Sequence, residues 1–390
     1  MNAYQFNTES FKMNRQESFV IRVLHIVGQM DRAGAETMLM NLYRHIDRTQ
    51  IQFDFIKFTT RKGDYDDEIQ VLGGRIFPIL AKNPIERMFK LTSFLKQHSE
   101  YRIVHAHMLL GNAFHLLAAK MAGIQHRISH SHNTSNGKFG ILAYFYEKIS
   151  IYLNKSLSTE KIACGKEAAE YLFGTTERVW LLNNAIDLKL YRQIGKKNQK
   201  YWQSLNQTIH ELKIIQVGRL CEVKNHRFSL EIARKLKEQD ISFTFLIIGQ
   251  GPLENSIHKM IHDYSLDKNV YLLGVRDDIP NLMAGADVML MPSLHEGFPV
   301  VLVESQAIGL RSIISSKISK EVDLGVNLID FKELNNIDGW IEAFKYINPV
   351  SNQFGSDVEV LAKRGFDIKQ KSVELLALYN NMGSISDDIN

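Results

Sequence analysis

Two glutamates eight residues apart, Glu296 and Glu304, are the side chains whose type and spacing most directly suggest chemistry in this 390-residue chain. Between them runs Gly297-Phe298-Pro299-Val300, just after an apolar stretch, Asp287–Met291. Gly297 and Pro299 break the chain, and proline suits the first turn of a helix because the N–H it lacks would be unpaired there anyway. The pattern predicts a helix over about 300–307 ending at Gly309, a residue suited to a helix C-cap. Glu296 then lies in a strand-to-helix loop and Glu304 within the helix. In open α/β sheets, loops at the carboxyl ends of strands line the ligand crevice. Carboxylates beside the free N–H groups of a helix start suit a ligand with hydroxyls on one part and phosphates on another.

Cations occur in a second block, Gly218-Arg219-Leu220-Cys221-Glu222-Val223-Lys224-Asn225, directly after the apolar run 213–217. A cation at each end of a short loop can grip a diphosphate, Arg219 through its planar fork and Lys224 as a point charge. Gly249 and Val275-Arg276 follow two further strand-like runs. Upstream, Gly28 to Glu36, with Gly34, makes a strand, glycine loop and helix, but without Gly-x-Gly-x-x-Gly spacing, which argues against a nicotinamide enzyme. Two His-x-His pairs, His105/His107 and His130/His132, end predicted strands, and alternation puts each pair on one strand face. Asn133 follows the second pair. Neither pair has an Asp, Glu or Cys close by in sequence, so no metal is expected. Asp64-x-Asp66 reads as acids gathered at a helix start, where they complement its dipole.

The elements that must position these residues alternate β and α over 213–315, the pattern of a doubly wound domain. Length favours two domains. The expected division is a loose extension at 1–18, a Rossmann-like domain at 19–190, a polar, lysine-rich linker at 191–211, a second Rossmann-like domain at 212–365, and a helix with its tail at 366–390. Two well-separated cysteines, Cys164 and Cys221, fit a reducing cytoplasm. No apolar run reaches membrane-spanning length. Net charge is +4, yet residues 71–166 hold 13 basic and 4 acidic side chains, and 101–146 hold no acid at all. Such a region attracts anionic substrates or surfaces. Residues 138–157, aromatic and basic, read first as a helix with a core-facing stripe (Phe139, Leu142, Tyr146, Ile149) and second as a helix lying on an anionic membrane.

The stretch 291–310 (MPSLHEGFPVVLVESQAIGL), together with Gly218–Asn225, resembles the retaining nucleotide-sugar glycosyltransferases of family 4, which have the GT-B fold. The resemblance covers roughly residues 20–382 and includes Asn183-Asn184-Ala185-Ile186-Asp187, similar to the family's Asn-Gly-Ile-Asp segment. It implies two facing Rossmann-like domains and a last helix that crosses back to the first. It also implies that Glu296 faces the donor sugar and Glu304 the ribose, that Arg219 and Lys224 hold the diphosphate, and that backbone near Val275 and Arg276 cradles the base. Gly34, Gly249, Gly297, Phe298 and Pro299 complete the implied donor site. His107 would touch the donor sugar, and His130, His132 and Asn133 the acceptor. Glu296, His107, Arg219 and Lys224 form the implied catalytic group, with no metal and no cofactor beyond the nucleotide sugar as co-substrate. The expected reaction moves a hexosyl-type sugar, from UDP by family precedent, to a glycan or lipid-linked acceptor with retention, in surface polysaccharide biosynthesis. Expected partners include an anionic membrane surface contacted peripherally but no nucleic acid, and the expected place is the cytoplasm or the inner face of the cell membrane. Two other readings stand beside it: a nucleotide-sugar epimerase of the same architecture, and a catalytically silent binding subunit.

Overall fold

Strands that are apolar along nearly their whole length, such as Phe243–Ile248 (FTFLII), must be covered on both faces, which is how interior parallel strands read. The computed structural model describes residues 20–133, 140–198, 200–205, 207–347 and 358–383. It places such strands at the centre of two sheets. The first contains β1 (Ile21–Ile26), β2 (Ile51–Lys57), β3 (Ile76–Pro78), β4 (Ile103–Ala106), β5 (His126–Ser131), β6 (Glu160–Ala163) and β7 (Trp180–Leu181), in the order β3-β2-β1-β4-β5-β6-β7. The second contains β8 (Leu212–Val217), β9 (Phe243–Ile248), β10 (Val270–Leu272), β11 (Val288–Met291), β12 (Arg311–Ser315) and β13 (Ile329–Lys332), in the order β10-β9-β8-β11-β12-β13. The pairings of both sheets are parallel. Strand order reverses at β1/β4 in one sheet and at β8/β11 in the other, and such switch points open the crevices where α/β proteins bind ligands. This is the expected pair of Rossmann-like domains.

The helix Val300–Ile308 begins at Pro299 and ends at Gly309, whose φ of +90° is left-handed, as the sequence pattern predicts. Two expectations fail. Residues 191–211, expected as a linker from their polar composition, are built into the second domain: the helix Leu188–Lys197, capped by Asp187 accepting from the Leu190 N–H, runs into them and packs on the helices Ile279–Ala284 and Val300–Ile308. Trp202 is fully buried and donates its indole N–H to the Leu282 carbonyl at 2.7 Å. Polar composition concealed this segment because it is amphipathic: Trp202 enters the second-domain core, with Tyr191, Ile194, Tyr201, Leu205 and Ile209 packed against it. The second failure concerns the aromatic, basic stretch. Its helix, Ile141–Leu157, buries Ser150, Asn154 and Leu157 and turns its large apolar residues outward, with Leu142 87% and Ile141 77% exposed. Lys138 and Phe139, the 1–18 extension and the last seven residues lie outside the described residues.

The chain crosses between domains twice, and the crossings pair. Ile186 donates its N–H to the Phe366 carbonyl, and Ile368 donates back to the Ile186 carbonyl, both at 3.0 Å. The helix Ile368–Gly383 then packs Ile368, Leu375, Tyr379 and Met382 into the first-domain core, the expected return crossing.

Asp54 secures the outer half of the first sheet. It is fully buried and accepts from Arg22 (2.6 Å), from the Arg75 N–H (2.7 Å) and from the Tyr101 hydroxyl (2.7 Å). Burial pushes its carboxyl up, but Arg22, Arg75 and Tyr101 together outweigh this and leave it below the usual carboxylate range. A depressed acid contributes stability that is present above the unfolded pKa and is lost as pH falls through the folded one. Asp54→Asn is therefore expected to cost about 3–5 kcal/mol in urea unfolding at pH 7, the scale of breaking a buried ion pair. The gap between variant and wild type should narrow as pH drops below about 4, near the unfolded value; a gap independent of pH would show that the carboxylate charge is not what stabilises.

Candidate active site

Because β8 and β11 are neighbours, the loops that leave them meet. Asn225, left-handed at φ +53°, donates its side-chain N–H to the Pro292 carbonyl at 3.1 Å, and the Leu294 N–H donates to the Val223 carbonyl at 2.8 Å. These bonds stitch the Gly218–Asn225 loop, which carries Arg219 and Lys224, to the Pro292–Pro299 loop, which carries Glu296. Arg219 is exposed just after β8. Lys224 ends a short 3-10 turn with its Nζ 2.5 Å from Glu296 Oε1, and both side chains are mostly buried. Gly249 lies directly beneath: a Cβ there would sit 2.0 Å from the Gly218 carbonyl oxygen, and its φ of +139° is left-handed. Glycine is therefore needed for the two loops to touch.

Glu304 projects from the Val300–Ile308 helix and accepts from the Tyr191 hydroxyl at 2.8 Å. Burial pushes its carboxyl up, while the tyrosine bond opposes the shift. Pro299 leaves the start of that helix with no side-chain cap, so its first N–H groups are available to an anion. Phe298 stacks on Phe366 at 5.5 Å and accepts at its carbonyl from the Asn184 side chain at 3.0 Å, which anchors the loop between the domains. Val275 is exposed, and Arg276 is held by Asp278 at 2.7 and 2.8 Å. Gly34, expected at a diphosphate, opens the helix Gly34–His45 in a solvent-exposed position with open space around it.

Across the cleft, the two His-x-His pairs converge on one face of the first sheet, joined by His25 of β1. His25 is in register with His105, and His105 with Ile128, so alternation carries His107, His130 and His132 onto the same face. His25 Nδ1 lies 3.0 Å from His107 Nε2, and His107 Nδ1 lies 2.9 Å from His132 Nε2. His105 Nδ1 lies 2.8 Å from the Tyr379 hydroxyl of the returning helix. Burial pushes His25 and His132 down to about 3 and holds His105, His107 and His130 well below the usual imidazole range, so all five are neutral at pH 7. Of the three residues expected at the acceptor, His130 is fully buried, while His132 is partly exposed and Asn133 exposed. Asp64 and Asp66 are structural: Asp64 accepts from the Arg32 N–H at 3.0 Å, and Asp66 pairs with Lys57.

Contacts between the domains hold the two halves face to face. A Cβ on Gly297 would lie 2.9 Å from the His132 carbonyl oxygen, and Arg32 reaches the Arg276 carbonyl at 3.3 Å and pairs with Asp277. Sequence reasoning did not single out His25 or Tyr191, and it named Asn184 only within the Asn183–Asp187 segment. His25 carried a usable signal, a polar residue inside a largely apolar strand. Tyr191 carried none, since its contact joins residues 113 apart.

This architecture is the GT-B fold. HepE of Anabaena, solved with UDP and glucose, superposes with a TM-score of 0.73 at 17% identity, over 93% of this chain and 100% of that one. WaaG, a glycosyltransferase involved in lipopolysaccharide biosynthesis, superposes with a TM-score of 0.66 at 14% identity, over 91% and 99%. The family model "Glycosyl transferases group 1" matches residues 199–323. EpsF of Bacillus subtilis (strain 168) is 38% identical over 92% of this chain and 96% of its own length. The UDP-Gal:alpha-D-GlcNAc-diphosphoundecaprenol alpha-1,3-galactosyltransferase of Escherichia coli is 26% identical over 93% and 97%. The chain belongs to the group 1 glycosyltransferases.

Gly249→Ala should cost about 3 kcal/mol, the scale of strain at a left-handed position combined with overpacking. Thermal unfolding reads it, and an unchanged melting temperature would show that the two loops are not in the contact described.

Proposed function

We propose that the protein transfers a hexosyl group from a nucleoside diphosphate sugar, UDP in the first instance, to a glycan or lipid-linked acceptor in surface polysaccharide biosynthesis, with retention at the anomeric carbon. One observation carries this reading: Lys224 and Glu296, from two separate loops, meet at the β8/β11 switch point, with Arg219 at the start of the first loop and Glu304 in the helix that follows the second. The relatives add support. The Escherichia coli relative is a UDP-galactose enzyme acting on a diphosphoundecaprenol-linked sugar, and CapH of Staphylococcus aureus, a capsular polysaccharide biosynthesis glycosyltransferase, is 26% identical over 73% of this chain.

The chemical task is to stabilise a departing diphosphate while the sugar becomes cation-like. Arg219, Lys224 and the uncapped helix start at Pro299 meet the developing phosphate charge, and such preorganised groups are worth about 2–4 kcal/mol each in the transition state. On this reading neither metal nor cofactor enters the transfer step. Glu304, steadied by Tyr191, binds the ribose hydroxyls, and backbone near Val275 and Arg276 holds the base. Glu296 orients the sugar ring, with His107 opposite it, and its contribution is positional. The acceptor approaches past His132 and Asn133 and attacks from the face that the diphosphate leaves, with a phosphate oxygen taking its proton. An epimerase would instead work a carbon–hydrogen bond, and the family assignment does not favour it.

The donor test separates these roles. Labelled UDP-hexoses incubated without acceptor should be hydrolysed slowly and never epimerised; an epimerised product overturns the proposal. In calorimetric titration with UDP, which lacks the sugar, Glu304→Gln should weaken binding about 10-fold, or 1.4 kcal/mol. Glu296→Gln should bind UDP as well as wild type or better, because it releases Lys224. Equal weakening by both substitutions would make the 295–299 loop a ribose or phosphate element.

Peripheral contact with an anionic membrane belongs to the same proposal. Among the described residues no helix is long and apolar enough to cross a membrane. The helix Ile141–Leu157, however, exposes Ile141, Leu142, Phe145, Ile149 and Tyr152 along one side, with Lys148 and Lys155 on the flank, inside the acid-poor region. An apolar face beside lysines suits the headgroup boundary of an anionic bilayer. The full chain should cosediment with vesicles containing phosphatidylglycerol, and Leu142→Ser/Phe145→Ser should abolish this. Equal failure of the wild type on anionic and zwitterionic vesicles would remove the membrane from the proposal.

A further inference from the structure

The histidine layer contains more unpaired polar nitrogen than the transfer reaction uses. His25 Nε2, His105 Nε2, His132 Nδ1 and both nitrogens of His130 are buried without a protein hydrogen-bond partner. Buried polar groups in folded proteins nearly always have one, and each exception points to something that satisfies it. These five nitrogens lie in a single cluster.

We propose that His107, His130 and His132 bind one divalent d-block cation of the zinc type. Their ligand atoms lie within 4.8 Å of one another. In a tetrahedral site with metal–nitrogen bonds of about 2.0–2.1 Å, imidazole centroids fall about 5 Å apart. His107 lies 5.2 Å from His132 and 5.3 Å from His130. The His130–His132 pair, stacked at 3.9 Å, must part slightly to admit the ion. The pattern is a His-x-His pair on one strand and a third histidine on its neighbour, all on one sheet face and all neutral, as metal binding requires.

The surrounding groups select the class of ion and the ligating atom. Imidazoles without a carboxylate favour zinc, cobalt, nickel or copper over magnesium, calcium or manganese. With His107 bound through Nδ1, its Nε2–H points at His25 Nδ1, 3.0 Å away, and such an outer bond fixes the tautomer and orientation of a metal ligand. His25, His105 and His107 also lie within ligating distance of one another, but all three are sealed in the core. His132 is partly exposed and gives the chosen trio a route from the cleft. Three protein ligands leave a fourth position for water or another small ligand. The transfer chemistry proposed above does not need this ion. If that reading holds, the ion occupies His107 and His132 and inhibits transfer reversibly. The binding itself does not depend on it.

Binding is tested on the full-length, tag-free chain with cobalt(II) as the probe. The expected result is one equivalent bound with the intense visible absorption of a tetrahedral site, displaced by one equivalent of zinc(II). His130→Leu should weaken cobalt binding by more than about 100-fold, beyond the 10–100-fold that loss of an outer-shell partner costs. That variant should fold, since His130 gives up no protein hydrogen bond, and melting verifies this. His132→Gln, at the strand end, provides a second ligand deletion, and His105→Gln, outside the trio, should keep the absorption. Three results overturn the site: no tetrahedral spectrum at micromolar cobalt, which leaves the cluster satisfied by water; absorption retained in both His130→Leu and His132→Gln; or absorption lost only in His105→Gln. A site that binds cobalt without zinc inhibiting transfer would leave the ion in place and count against the roles given to His107 and His132.

Discussion

Everything at the cleft depends on the paired crossing at Ile186 and Asp367. Parallel sheets put all their ligand-facing loops on one edge, so each domain alone offers half a site. Two backbone hydrogen bonds between the outgoing and returning segments fix where the halves meet, and the Asn183 side chain adds a third to the Arg364 carbonyl at 2.9 Å. Phe298 sits at this junction, stacked on Phe366 and bonded to Asn184, so the loop that carries Glu296 is anchored to the joint itself. The returning helix then delivers Tyr379 to His105 at the floor of the opposite domain. Joint, loop and histidine layer are thus one connected body.

The second half of the fold was the more legible in sequence. Its strands β9 and β11 are unbroken or nearly unbroken apolar runs, glycine directly follows β8 and β9, and its helix signals, Pro299 and Gly309, lie where the structure uses them. The Lys224–Glu296 contact joins residues 72 apart, so it could be expected only through the resemblance. Two kinds of segment were misread, for opposite reasons. Residues 191–211, most of the Leu188–Lys197 helix and Trp202 among them, looked like linker because a scattering of large side chains suffices to bury an otherwise polar segment. The Ile141–Leu157 helix looked like core because hydrophobic spacing reports that one face is apolar without saying what covers it.

The histidine layer shows a different limit. Each His-x-His pair was visible, but their union required strand order, which β1-β4-β5 adjacency supplies and sequence does not. The imidazoles are packed into the surrounding core, His25 against Phe53 and Phe55 and His105 against Tyr379.

The Lys224–Glu296 pair has a consequence for discrimination. Two oppositely charged side chains that satisfy each other present little net charge to a neutral visitor, so a free sugar meets a closed gate. Under the proposed function, a diphosphate would compete for the lysine with greater charge than the glutamate can offer, and in displacing it would set the carboxylate free beside the sugar ring. The ligand's charged half would thereby prepare the place for its neutral half. Selection would run in sequence, charge before stereochemistry, and the abundant uncharged sugars of the surroundings would be screened out before their hydroxyl patterns are ever compared.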